Sequence, residues 1–296
     1  MLKTEYYQRG AADPILDNSL VLSIVREYAP EAKEVTGVDE TGGEARTYAV
    51  DADIVLKVQR PHQLRNTTSL EKEAFFLRYL EKNCDVSVPR VLGYGKRDSV
   101  EYTVMTRMPG IAAKYADMTL KQRSAVVYEL GKTLYKIHSL DMKPFIESGL
   151  FPVDNENSVK GICERWKAMF DLRLSRLLEN GLPQNDASKA SMAADKEIEK
   201  IAALDKVKVT ALHTNVGDEH VFVTPENVFS GVIDFGDSFF SHPVFDLRRV
   251  PLHERKTILD GYLCEGSIDN SFITVWNVTY ALDSIIDVLS SKKREE

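Results

Sequence analysis

The apolar positions of this chain change their period near residue 110. Residues 34–39 (EVTGVD) and 46–58 (RTYAVDADIVLKV) set β-branched and aromatic residues between turn signals. That pattern predicts the strands of a hairpin-rich sheet, with Gly42-Gly43 in its first turn. Residues 69–82 (SLEKEAFFLRYLEK) follow helical spacing instead. Leu70, Ala74, Leu77 and Leu80 share one face, and Ser69 stands where a cap belongs. VPRVLGYG and EYTVMTRM return to a strand pattern, and Met108-Pro109-Gly110 breaks it. Beyond that break the spacing is helical over 119–139 and over 159–180, where Trp166, Phe170, Leu174 and Leu177 line one face. Asn180-Gly181 is a stop signal. A further helix, opened by Asp186, runs through Leu204. Short strands at 220–223 and 229–233 interrupt the helices, the chain then returns to helix, and SSKKREE is expected to fray. The pattern predicts an α+β chain in two lobes: a β-rich N-terminal lobe over 1–108 and a mainly helical C-terminal lobe over 109–296.

Composition narrows the classes. Of 296 residues, 43% are apolar and 28% charged, which is globular and leaves no room for wholesale disorder. Thirty-eight basic residues against 45 acidic give a net charge of −7. That balance weighs against nucleic acid and toward a cationic or neutral small molecule. No uninterrupted apolar run approaches the length of a membrane span, so no membrane partner is expected. The N-terminus lacks the apolar core of a signal peptide. Cys84, Cys163 and Cys264 are too scattered for a disulfide framework or a metal cluster. Together these features predict a soluble cytoplasmic protein.

Three constellations carry chemistry. Lys57 interrupts the apolar strand IVLKV, and Glu73 lies in the helix that follows. A strand lysine fixed by a helix glutamate neutralises nucleotide phosphates in kinase-like folds. Glu71 is the rival partner, and Glu73, directly before Ala74-Phe75, is favoured. Gly42-Gly43, ahead of the lysine strand, would let backbone N–H groups approach phosphate, and would equally make an ordinary hairpin turn. The third is sharper. In 211-ALHTNVGDEHVFV-223, His213, Asn215, Asp218 and His220 sit between apolar strands, and 231-GVIDFGDS-238 follows. Polar side chains converging on such a loop are placed for catalysis. An Asp-Phe-Gly after a short apolar strand is an arrangement that holds Mg²⁺ on nucleotide phosphates.

These segments resemble the aminoglycoside phosphotransferase family, relatives of protein kinases that phosphorylate small molecules. The family pattern is H-x-D-x-x-x-x-N, a short hairpin, I-D-[FW]-G-[DE], then D-P-x-x-D-L. His213, Asn215 and His220 fall on the loop positions, and Ile233-Asp234-Phe235-Gly236-Asp237 matches the metal motif. The segment from Ser241 to Leu247 matches the last element except its first Asp. Val55-Leu56-Lys57, Lys72-Glu73-Ala74 and the run from Tyr102 to Gly110 resemble the lysine, glutamate and hinge positions. The likeness spans about residues 30–250.

The resemblance implies a bilobal protein-kinase-like fold with ATP or GTP and Mg²⁺ between the lobes. Lys57 would meet the phosphates, held by Glu73, with Gly42 and Gly43 in the nucleotide loop. The backbone of Thr106 and Met108 would meet the purine edge, and Met105 would close the pocket behind it. Asp234 would be the main metal ligand and His220 the second. Asn215 would orient the acceptor hydroxyl, Asp246 would brace the loop, and His213 would pack beneath it. The implied activity is an ATP- or GTP-dependent O-phosphotransferase acting on a hydroxyl of a small molecule such as an aminoglycoside-type antibiotic. Two positions depart from the pattern. His220 replaces an Asn, and imidazole can still bind a divalent ion. Asn215 replaces the Asp that accepts the hydroxyl proton, and an amide is no base near neutral pH. Asp218 is an alternative base. A nucleotide-binding pseudokinase with a sensing or scaffolding role is the second reading.

Overall fold

The structure, a computed structural model, describes residues 6–7, 15–40, 42–60, 64–65, 69–97, 100–151 and 158–292. Near the N-terminus β1 (Tyr6–Tyr7) pairs with β5 (Leu64–Arg65), and α1 (Asn18–Val25) is capped by Asp17. Alternating side chains then build one antiparallel sheet from β2 (Val35–Asp39), β3 (Ala45–Val50), β4 (Ile54–Gln59), β6 (Val91–Arg97) and β7 (Val100–Thr106), in the order β2-β3-β4-β7-β6. The stretch 46–58 divides at Asp51, whose φ of 50° turns the chain. On β4, Ile54, Leu56 and Val58 point to one face and pack with Tyr48, Val50 and Val104 under Val21, Ile24 and Val25 of α1. A strand alternates faces with period two, so Val55 and Lys57 point to the other.

On that other face lies α2 (Leu70–Asn83). Ser69 caps it by accepting from the Lys72 N–H, and Leu70, Ala74, Leu77 and Leu80 are buried, as the spacing predicts. The apolar face of α2 does not join the α1 core. It joins a larger one that runs down through the helical part of the chain. After β7 the strand β8 (Ile111–Ala112) follows Gly110, where φ is +90° and a side chain would meet the Val223 carbonyl oxygen at 1.9 Å. Only glycine allows the chain to cross there.

The helical part comprises α3 (Leu120–His138), α4 (Lys143–Glu147), α5 (Val159–Glu179) and α6 (Gln184–Ala202), then α7 (Val244–Leu247), α8 (Arg255–Glu265) and α9 (Asn270–Lys292). Thr119 and Gln122 close a reciprocal cap on α3. Helix α5 ends at Asn180-Gly181, as expected. Asp186 does not open α6: Pro183 holds the cap position and Asp186 sits in the first turn, where a carboxylate still suits the helix dipole. Helix α9 corrects the expectation about membrane spans. Its stretch Asn270–Ser291 is 22 residues long with a mean hydropathy of 1.3, long and apolar enough to cross a bilayer. Counting unbroken runs missed it because Thr, Ser and Asn are interleaved. In the fold its buried residues pack in the helical core, and Asp283 within it accepts from Arg255 and Arg248 and pairs with Arg173.

Two small sheets carry the polar loops. One is β8 with β10 (Val221–Val223) and β11 (Phe229–Val232); the other pairs β9 (Thr210–Ala211) with β12 (Phe240–Ser241). Residues 212–220 and 233–239 connect them and face the underside of the large sheet.

Candidate active site

Lys57 leaves β4 on the α2 side and its Nζ donates to Glu73 Oε2 at 2.8 Å and to Asp234 Oδ1 at 2.9 Å. Lys57 and Asp234, 177 positions apart, are thus joined in one cluster. Glu73 also accepts from the Phe235 N–H with its other oxygen, so one glutamate holds both the lysine and the segment that carries Asp234. Phe235 is fully buried between Phe76 and His213, at ring distances of 4.9 and 4.4 Å. Burial alone would push the Lys57 ammonium down, but the two carboxylates outweigh it and hold it well above its ordinary range. Burial would likewise raise Asp234, but Lys57 and His220 outweigh it and keep that carboxyl well below the usual range. For Glu73, wholly enclosed, burial dominates and pushes the carboxyl up. Glu71, the rival, points to Tyr94 and Lys96 instead.

The loop between β9 and β10 is pinned from below. Asp246 is wholly buried, and its oxygens accept from the N–H groups of His213 at 2.8 Å and Thr214 at 2.6 Å. His138 at the end of α3 also meets it, at 3.1 Å. These contacts hold Thr214 at φ +77°, a left-handed conformation that a β-branched residue resists at a cost of about 1–3 kcal/mol. Asp234 is left-handed too, at φ +72°. The two strained residues flank the polar cluster, one immediately before Asn215 and the other on the metal motif.

The histidine tautomers follow from their partners. A carbonyl can only accept, so His213 Nε2–H donates to Ile233 O at 2.8 Å, and Nδ1 accepts the Asn215 N–H. Burial pushes the His213 pKa down, in keeping with a neutral ring. His220 Nδ1–H donates to Asn215 O at 2.6 Å, which turns Nε2 toward Asp234 Oδ2 at 3.3 Å. A protonated ring donates across that gap to the carboxylate, and a neutral ring leaves two acceptors that a cation would bridge. Among the described residues no three His, Cys, Asp or Glu form a metal cage. One carboxylate and one imidazole nevertheless fit Mg²⁺, which leaves the rest of its shell to water and phosphate oxygens.

The remaining expected residues are distributed unevenly. Met105 is buried at the end of β7 beside Val55, and Met108 is buried against Gly231. Thr106 is tied to Arg90 through its N–H and its hydroxyl, which fixes the linker that leaves the sheet. The Gly42-Gly43 turn is held by Arg60, which donates to the Gly42 carbonyl, and no contact among the described residues ties it to the Lys57 cluster. Asn215 lies beside the cluster, but its Oδ1 accepts from Arg249 Nη2 at 2.7 Å. Asp218, the alternative base, is paired with Arg123 at 2.7 Å, and Arg123 also grips both oxygens of Glu254. Sequence reasoning missed Arg249, Arg123, His138 and Lys72. Arg249 follows the recognised Asp246-Leu247 by two residues, and that nearness was the available signal.

The geometry defines a bilobal, protein-kinase-like site. The comparisons carry it to a family. A model of the phosphotransferase enzyme family (APH) matches residues 38–262, and the chain belongs to that family of small-molecule kinases. No curated protein matches it. Among solved structures it is similar to a GDP and kanamycin complex of an APH(2'') enzyme, with a TM-score of 0.62 and 17% identity over 94% of this chain and 93% of that one. It is similar to a streptomycin–ATP ternary complex of APH(2'')-IIa, at 0.56 and 18% over 92% of each chain. A macrolide 2'-phosphotransferase from Brachybacterium faecium gives 0.56 and 16% over 93% of each. At these identities the likeness is one of fold.

Proposed function

We propose that this protein transfers the terminal phosphoryl group of ATP or GTP to an oxygen of a small molecule, in a cleft between lobes 1–108 and 109–296. The observation that carries the reading is the single ammonium of Lys57 on both Glu73 and Asp234. With nucleotide in place Lys57 offsets phosphate charge and Glu73 keeps it aimed, which is the positioning that phosphoryl transfer depends on. Met105 would back the purine, with Thr106 and Met108 along its edge and Gly42-Gly43 toward the phosphates. Asp234 and His220 would hold Mg²⁺, which when bound neutralises the charge that develops on the phosphates. Neighbours of the same fold were solved with GDP, with ATP and with antibiotics, which supports a nucleotide and a small acceptor.

Calorimetric titration of ATP and GTP, with Mg²⁺ and with chelator, tests this. Metal-dependent binding of at least one nucleotide that disappears in Asp234→Ala is the expected result. Absence of binding by both nucleotides overturns the reading.

A further inference from the structure

We propose that the acceptor is an oxyanion already ionised at neutral pH, a carboxylate or a phosphate monoester, received by Arg249 and the side-chain amide of Asn215. The proposal rests on the phosphotransferase reading and narrows the substrate of that same site.

The argument begins at the 2.7 Å contact from Arg249 Nη2 to Asn215 Oδ1. A guanidinium can only donate, so the contact fixes which end of the amide is which. The oxygen faces Arg249 and the NH₂ is turned the other way. Where the family has a carboxylate that accepts a proton, this chain presents N–H donors and a positive charge. Donors meet lone pairs; they cannot take a hydroxyl proton. Four other groups on or beneath the loop are engaged. His213 uses both ring nitrogens, on Ile233 O and on the Asn215 N–H. His220 donates from Nδ1 to Asn215 O and turns Nε2 to Asp234. Asp246 is buried under the loop on two backbone N–H groups and His138. Asp218 is paired with Arg123.

An ionised oxygen needs no base. The acceptor O⁻ forms a bond to the γ-phosphorus. The bond from that phosphorus to the oxygen bridging the β-phosphate breaks, and its electron pair leaves on ADP or GDP. No proton moves, and the product is an acyl phosphate or a phosphoric anhydride. The difficulty is repulsion between two anions, and Arg249 supplies a cation on the acceptor side to offset it. The net charge of −7 pointed to a cationic or neutral acceptor. The loop adds Asp218 and Glu219 to that expectation. Charges spread over a surface are screened beyond about 8–10 Å. Asp218 is paired with Arg123 and Glu219 is exposed to water, so Arg249 is the charge that meets the acceptor.

The test uses matched pairs: succinate against 1,4-butanediol, and glucose 6-phosphate against glucose, with kanamycin as a cationic hydroxyl probe. Binding to the protein loaded with Mg²⁺ and ADP is measured by calorimetry, and nucleotide release is measured with ATP and GTP. Succinate reports on carboxylates and glucose 6-phosphate on phosphate monoesters. At least one anion should be preferred over its uncharged partner. Arg249→Ala should weaken that anion about 10- to 100-fold while ADP affinity stays within about twofold. Asn215→Asp, which adds an anion at the same point, should weaken it as well. Lys256→Ala removes an exposed charge outside the site and should change nothing. The proposal is overturned if neither anion binds in an Arg249-dependent way. It is also overturned if a hydroxyl probe is the better substrate, or if Asp237→Asn abolishes turnover of a hydroxyl probe and so reveals a base. Loss of ADP and ATP binding altogether would instead remove the phosphotransferase reading on which it rests.

Discussion

Lys57 and Arg249 are cations at the two ends of one site, and they are held in opposite ways. Lys57 is enclosed and bracketed by two carboxylates, with its side chain 16% exposed. Arg249 is exposed and rests on a neutral amide. The first cation is balanced and fixed before any ligand arrives; the second retains its charge and its freedom. On the proposed reading the nucleotide side of the site is built in advance, as electrostatic positioning of phosphates demands, and the acceptor side is an open receptor. A change at Lys57 would leave Glu73 and Asp234 facing each other without a counter-ion, whereas a change at Asn215 would cost Arg249 one hydrogen bond.

The strongest way to break this comparison is Lys57→Met. Glu73 and Asp234 lose their shared counter-ion, and removing one partner of a buried pair costs about 3–5 kcal/mol. Denaturant melts should show that loss, and metal-dependent ATP binding should vanish in calorimetry. A variant as stable as the parent would mean that the cluster is not pre-balanced. Next is Asp246→Asn, which trades a charged acceptor on two backbone N–H groups for a neutral one. Stability should fall by about 1.5–3 kcal/mol, and turnover should fall while nucleotide affinity is kept, since the damage lies under the loop that carries Asn215.

Acid separates the buried cluster from its surroundings. The Asp234 carboxyl titrates below its unfolded value, so its contribution is present above about pH 4 and is lost only as pH falls further. His242 behaves differently. Burial pushes its pKa down to about 3, so the unfolded chain binds a proton that the folded one refuses. Stability from His242 is complete above its unfolded pKa near 6.5 and is lost as pH falls toward 3, by up to about 1.4 kcal/mol per unit. Urea melts between pH 7 and pH 5 should therefore slope, and His242→Gln should reduce the slope, leaving the share of His213, which burial also pushes down. The smallest effect belongs to Asp218→Asn. Its half-exposed pair with Arg123 is worth about 0–1 kcal/mol, and turnover should change less than about twofold. A large rate loss there would restore Asp218 as a base and blur the contrast between the two ends.

The parts legible in the sequence are those fixed by period, cap or short-range motif. The strand carrying Lys57, the face of α2 and the Ser69 cap follow from local rules, and the Asp-Phe-Gly run marks its own turn. Helix α1 was missed because its eight residues, Asn-Ser-Leu-Val-Leu-Ser-Ile-Val, make barely two turns, and so short an apolar run reads equally well as a strand. Arg249 carried only its nearness to Asp246-Leu247 as a signal, and for another reason. A long, flexible side chain on the surface has no direction until its neighbours exist, and its partner lies 34 positions away. The φ of Thr214 was unreadable as well, because a β-branched residue predicts the opposite conformation and only the buried Asp246 forces it.

The buried Lys72 has a consequence of its own. Its Nζ donates to the Ser238 carbonyl at 2.6 Å, while one turn on Phe76 stacks against Phe235. Helix α2 is thereby fastened at two points to the segment that carries Asp234, in addition to the Glu73 bridge. Any separation of the large sheet from the Asp234 segment has to carry α2 with that segment or break these contacts. An outward swing of α2 that disarmed Lys57 would have to break all three of these contacts first.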